Sequence, residues 1–506
     1  MRVHPIFSDH MVLQREKEVA IFGEAADGEV IEVECAGRRA TAVAAGGSWR
    51  ATLPANDAGG PYRLAVRSGA EAIVFDDVWY GDVWLAGGQS NMQWPLQSSA
   101  GGAEEIENSG GYPLIRYYEV PKVAYDDGVE RESGWRASGP EAAGEFSAVA
   151  YHFAKRVHAE TGVAIGIVGC NMGATSAACW VAEETLERDP ALRVYLDEFR
   201  AIAKDFDWEA YEAEERAFQD AFAAYEAAVS QGKTKEELGP VPWPPPMSPR
   251  SFMRPNGLYE TMLKRAAPYT LKGFLYYQGE GDAHRPMLYD KLLEALIRNW
   301  RRDWEDDALP FLYAQLPSFG CDGDPGGDAW ALLRESQTIV AERVPHTAMA
   351  VILDCGEKDD IHPADKKPVG DRLARLALAR VYGRCDVHGE GPRFVAMQVN
   401  DRGAARLRFR FGGDRLTTKD GEQLVGFELC GADRVYVPAE ARIEGDTVIA
   451  FSDRAPRPIA ARYGWANYPE ANLTDGFGLP AAPFRTDREG RGSPAAIDGR
   501  TDENRE

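Results

Sequence analysis

The sequence predicts an α/β fold: a doubly wound parallel sheet with a β-rich region on either side of it. From Asp82 to about residue 385, short apolar runs that read as buried strands alternate with stretches of helical periodicity, the mark of a parallel sheet. Three of these runs end in glycine and polar residues, as strands do when they deliver side chains to one edge of such a sheet. Outside this span, period-two alternation replaces the helices.

The first 80 residues read as antiparallel strands. Alternation runs through Val30-Ile-Glu-Val-Glu-Cys35 and Tyr62-Arg-Leu-Ala-Val-Arg67, and turn material such as Asp57-Ala-Gly-Gly-Pro61 separates such runs. A small β-sandwich over 1–80 is expected, acting as a brace, since no cluster of exposed aromatics marks a sugar-binding face. The strand at Val83–Ala86 opens the central domain, 81–385, and stops at Gly87-Gly88. A helix over 148–160 leads to the strand Val163–Val168. Residues 181–238 are charged and helical; Trp208, Tyr211, Phe218, Phe222 and Tyr225 fall on one stripe, predicting an inserted helical hairpin with an aromatic packing seam. The proline-rich stretch 239–250 is a stiff connector. Further strands are expected at Gly273–Tyr277, Phe311–Leu316 and Thr347–Leu353, with helices at Trp330–Arg343 and from Val369 to Val381. Residues 386–488 return to strands, and 489–506 lack an apolar pattern and read as a disordered tail.

Composition excludes several classes. A net charge of −23 disfavours nucleic acid or an anionic membrane as the main partner. No apolar run is long enough for a membrane helix. The seven cysteines are scattered without a CxxC pair, so neither a disulfide framework, a zinc site nor any other metal or cofactor is expected. Met1-Arg-Val-His-Pro5 lacks a signal-peptide core, which reads as cytoplasmic for the chain as written, and as periplasmic or secreted if a leader has been removed. Assembly into a homo-oligomer is compatible with all of this.

Chemistry concentrates at the glycine-rich strand ends. Ser90 follows Gly87-Gly88 at the start of a helix, where a turn exposes the hydroxyl and the helix N-terminus favours developing negative charge. The same serine would serve equally as a helix cap. Gly169-Cys-Asn-Met-Gly-Ala-Thr175 and Gln278-Gly-Glu-Gly-Asp-Ala283 are the second and third strand ends. His362 stands in an acidic loop just before a helix, with Pro363 fixing the backbone beside it. A serine, donors at two more strand ends and a histidine from a late loop describe an acyl-transfer site.

Gly88-Gln-Ser-Asn-Met92 resembles the nucleophile block of SGNH hydrolases in the version of the sialate O-acetylesterases and related carbohydrate acetylesterases. Phe7-Ser-Asp-His-Met-Val-Leu-Gln14, Asp360-Ile-His-Pro363 with Lys366-Lys-Pro-Val-Gly370, and Arg462-Tyr-Gly-Trp465 resemble further blocks of that family in matching order. The resemblance implies an SGNH-type hydrolase domain and a serine esterase that removes O-acetyl groups from carbohydrates through an acetyl-enzyme. It implies Ser90 as nucleophile and His362 as base. It offers three acids to orient the histidine: Asp359, ranked first from the Asp-x-x-His spacing, then Asp360 and Glu280. The implied oxyanion hole comprises the N–H groups of Ser90 and Gly173 and the amide of Gln278. Met172, Ala174, Ser176, Gly281 and Asp282 depart from the family pattern. Alternatives within hydrolases are an acetyl xylan esterase, a lipase or a thioesterase; outside them, a sugar-binding protein on a decayed hydrolase scaffold.

Overall fold

Six parallel strands form the centre of the computed structural model, which describes residues 1–126, 131–233, 235–239, 241–321, 324 and 326–488. They are β1 (Glu71–Gly88), β2 (Ile115–Glu119), β3 (Ile165–Asn171), β4 (Gly273–Tyr277), β5 (Phe311–Ala314) and β6 (Thr347–Ala350). Their order is β2-β3-β1-β4-β5-β6, with Arg136–Ala137 pairing antiparallel on the outer edge of β2. Every residue of β3 and β4 is buried, as a parallel strand requires when helices cover both faces.

The covering helices are α2 (Ala148–Thr161), α3 (Tyr289–Asp303), α4 (Ala329–Arg343) and α5 (Lys367–Arg380); the four-residue α1 (Ser90–Gln93) follows β1 directly. On one face of β1, Trp84 packs edge-on against Phe153 of α2. On the other, Gly87 leaves room for the Trp300 ring of α3. Because β3 lies on one side of β1 and β4 on the other, the order reverses at β1. The crevice at its carboxyl end is where an open α/β sheet binds ligands.

The expected boundary near residue 80 falls inside a strand. Residues 71–80 of β1 pair antiparallel with Gly59–Ser68, Trp79–Gly81 pair with Val12–Gln14, and Asp82–Gly88 enter the parallel sheet. Mid-strand Asp82, fully buried, is neutralised by Arg15 at 3.0 Å. Strands Arg2–Val3, Val19–Glu24 and Ser48–Leu53 make a second small sheet of the N-terminal region. One continuous apolar core holds Ile21 and Trp49 of that region together with Trp84 and Leu275 of the central sheet.

Between residues 181 and 238, helices run over Glu183–Arg188, Arg193–Ala203, Trp208–Ser230 and Lys235–Leu238. The long helix buries no residue fully; Phe218 and Phe222 stack on each other and both meet Trp243 of the proline-rich connector. The C-terminal region is built from two four-stranded antiparallel sheets and a two-stranded one around its own apolar core. It is fastened to α4 by Arg485, whose Nε and a terminal nitrogen bond Glu335 at 2.9 Å each, and by Asn467, which accepts the Trp330 N–H. The tail expected over 489–506 lies outside the described residues. Among the described residues, no helix is long and apolar enough to cross a membrane.

Candidate active site

The site is assembled where β1 stops. Gly88 has φ +137°, and a Cβ there would stand 2.1 Å from the Tyr277 carbonyl oxygen, so this position needs glycine for β1 and β4 to end side by side. Gln89 donates its N–H to that carbonyl and caps α1. Ser90 is then the first helical residue, and its backbone N–H has no acceptor within the helix. Asn91 and Met92 are buried and hold the turn in place, whereas Ser90 remains partly exposed.

His362 reaches this serine across the loop that precedes α5. Its Nε2 lies 2.8 Å from Ser90 Oγ. With the hydroxyl donating, Nε2 is the acceptor and the ring proton belongs on Nδ1. The imidazole stacks on Trp94 with ring centroids 5.4 Å apart. Asn91 fastens the histidine loop to α1: its Nδ2 donates to the Ile361 carbonyl at 2.9 Å and to Glu280 Oε1 at 2.5 Å. Its Oδ1 accepts from Lys366 Nζ at 2.5 Å. Lys366 is buried, with its ammonium over the Trp94 ring, and burial pulls it down to about 8. Burial likewise pushes Glu280 above the usual carboxylate range. Its Oε2 is buried with no hydrogen-bond partner among the described residues.

Two of the three acids considered for His362 make defined hydrogen bonds at the site. Asp360 accepts the backbone N–H of His362 at 2.8 Å, and Glu280 is bonded to Asn91. Asp359 lies on the same exposed loop, three residues before the histidine.

The three expected oxyanion donors do not all converge. Gly173, just after β3, does stand beside Ser90: a Cβ on it would be 3.4 Å from Ser90 Cβ. Its N–H donates to Gln93 Oε1 at 2.7 Å. The next residue, Ala174, is held at φ +64°, a conformation costly for a residue with a Cβ. Gln278 corrects the sequence reading. It is only 1% exposed, and its Nε2 donates to the Thr175 carbonyl at 3.1 Å and to Asp282 Oδ2 at 2.7 Å. Its Oε1 accepts from Tyr289 and Tyr276 at 2.8 and 3.3 Å. Both amide protons and the carbonyl are spent inside the protein, so this side chain is a brace and is not presented to Ser90.

Two departures from the family pattern answer each other: Ser176 Oγ donates to Asp282 Oδ1 at 2.6 Å, and Ala177 N–H donates to Oδ2. Gln93, Asn91, Trp94 and Lys366 carry the site's supporting contacts, yet none was singled out from the sequence. For Gln93 a signal existed, since the third residue after Ser90 on a helix shares its face. Among the described residues, no three His, Cys, Asp or Glu side chains gather as metal ligands would. What gathers instead is a hydroxyl on a base, beside backbone N–H donors at a partly exposed sheet edge, an arrangement suited to acyl transfer.

Known proteins share this chain's sequence and fold. The family model described as carbohydrate esterase, sialic acid-specific acetylesterase matches residues 216–379. The sialate O-acetylesterase of Mus musculus is 25% identical over 531 residues, covering 94% of this chain and 92% of its own length. That of Homo sapiens is 24% identical, covering 94% and 91%. The crystal structure of a carbohydrate acetylesterase from Xanthomonas citri is 34% identical and superposes with a TM-score of 0.79, covering 96% of this chain and 99% of its own. With a likeness of that depth running along almost its whole length, the chain belongs to the sialate O-acetylesterase family of carbohydrate esterases.

Proposed function

We propose that the protein hydrolyses O-acetyl esters of carbohydrates, with Ser90 as nucleophile, His362 as general base and acid, and Asp359 as the carboxylate that orients the histidine. The observation that carries this reading is the 2.8 Å approach of His362 Nε2 to Ser90 Oγ at the carboxyl end of β1. The choice of Asp359 is supported by its place three residues before His362 on the same loop.

In the first half-reaction, Ser90 Oγ bonds to the acetyl carbon while its proton passes to His362 Nε2. The carbonyl electron pair moves onto oxygen, where the N–H groups of Ser90 and Gly173 are the backbone donors. Collapse of this intermediate breaks the bond to the sugar oxygen, which leaves as the alcohol with the proton from His362. Water then attacks the acetyl-enzyme, giving its proton to His362, and a second collapse releases acetate and returns the proton to Ser90. The intact hydroxyl–imidazole contact favours this over a binding protein on a decayed scaffold.

Acetate release should be measured from O-acetylated sialic acid, acetylated xylo-oligosaccharide and an aryl acetate, with wild type beside Ser90→Ala. Ser90→Ala is expected to lose at least about 10³-fold on every substrate that wild type uses. Intact turnover in a folded Ser90→Ala protein would overturn the assignment.

A further inference from the structure

With the Gln278 amide committed elsewhere, the oxyanion hole lacks its expected side-chain donor, and the groups around Ser90 narrow the replacement. Asn91 is spent: Nδ2 donates to Glu280 and Ile361, and Oδ1 accepts from Lys366. Gln93 sits three residues after Ser90 on α1, partly exposed and on the same helical face. Its Oε1 is 2.7 Å from the Gly173 nitrogen, and the position of a Gly173 Cβ is 3.4 Å from both that oxygen and Ser90 Cβ. An amide oxygen therefore accepts the very N–H that the reaction needs.

We propose that Gln93 is a catalytic residue, the side-chain donor of the oxyanion hole; this rests on Ser90 being the nucleophile. The reasoning concerns charge. As the acetyl carbonyl oxygen gains negative charge it competes for the Gly173 N–H, and Gln93 Oε1, itself an acceptor, cannot stay facing it. The terminal torsion of a glutamine is broad and close to two-fold, so turning the amide costs little. Turning brings Nε2–H where Oε1 was, and a repulsive acceptor becomes a donor. The tetrahedral oxygen then collects three N–H groups, from Ser90, Gly173 and Gln93. The same amide thus holds the strained Gly173-Ala174 turn before the reaction and stabilises charge during it.

Gln93→Ala and Gln93→Glu, made in the full chain, distinguish donation from simple packing. Glutamate has nearly the same shape and still accepts the Gly173 N–H, but when ionised it has no proton to donate. Steady-state kinetics with an aryl acetate should show kcat lower by about 10²–10³-fold in both variants, with KM little changed and melting temperature near wild type for Gln93→Glu. Near-wild-type kcat in Gln93→Glu would overturn the proposal, leaving the amide only the task of holding the turn. So would full activity in Gln93→Ala. Ser90→Ala, run alongside, separates the two levels: turnover surviving there removes the nucleophile reading itself, whereas a dead Ser90→Ala with active Gln93 variants removes only this inference.

Discussion

The ends of β1 and β4 lie side by side and carry similar residues, Gly88-Gln-Ser-Asn and Gln278-Gly-Glu-Gly-Asp, yet they do opposite things. The first leaves Ser90 partly exposed against His362. The second turns Gln278 and Asp282 fully inward, where they hold Thr175, Ser176, Ala177 and two tyrosine hydroxyls. A polar residue at a sheet edge is available for chemistry only if its hydrogen-bonding capacity is not already used. That count requires coordinates.

The comparison can be broken from either side. The largest effect is expected at the open end: Asp359→Asn should lower kcat by about 10²–10⁴-fold without lowering the melting temperature, as loss of an orienting carboxylate does. Asp360→Asn, which alters a contact to backbone, should cost much less activity. Equal losses would shift the orienting role away from Asp359.

At the closed end the sign of the evidence reverses. Gln278→Leu removes partners from Asp282, the Thr175 carbonyl and two tyrosine hydroxyls, all buried; at about 1–3 kcal/mol for each group left unsatisfied, it should cost roughly 3 kcal/mol or more. Calorimetry should show a melting temperature lower by several degrees, while kcat per folded molecule stays within about tenfold. A normal melting temperature with kcat down about 10²-fold would restore Gln278 to the oxyanion hole. The smallest effect is expected between the two ends. Ala174→Gly relieves a left-handed alanine and should stabilise by about 1 kcal/mol, seen as a small rise in melting temperature.

Much of the fold was legible because burial on both faces leaves unmistakable runs. Gly273–Tyr277 matched its strand residue for residue, and the helices at 148 and 330 began within a residue of expectation. The unity of β1 was not legible, because Asp76-Asp77 and Gly81-Asp82 look like turns, and the buried Asp82 is met by Gln14, Arg15 and Lys272 from distant parts of the chain. At the site, Ser90, Gly173 and His362 came together as expected. Gln278 misled because a motif gives a residue its place in the chain but not its neighbours: Thr175 and Tyr289 reach it from two other segments, and Asp282 folds back on it from four residues further along. Lys366 was hidden for a similar reason, since a lysine at the start of a helix ordinarily reads as solvated surface.

The 18 residues of β1 give the molecule a backbone spine. The strand that leads to Ser90 also forms part of the N-terminal sheet, so the two regions share one continuous strand. Loosening the N-terminal sheet withdraws ladder partners from the same strand whose last residue sets Ser90. A load applied at Gly59–Ser68 is therefore carried along a single extended chain to the sheet edge at Ser90, and the two regions are expected to lose structure as one cooperative unit.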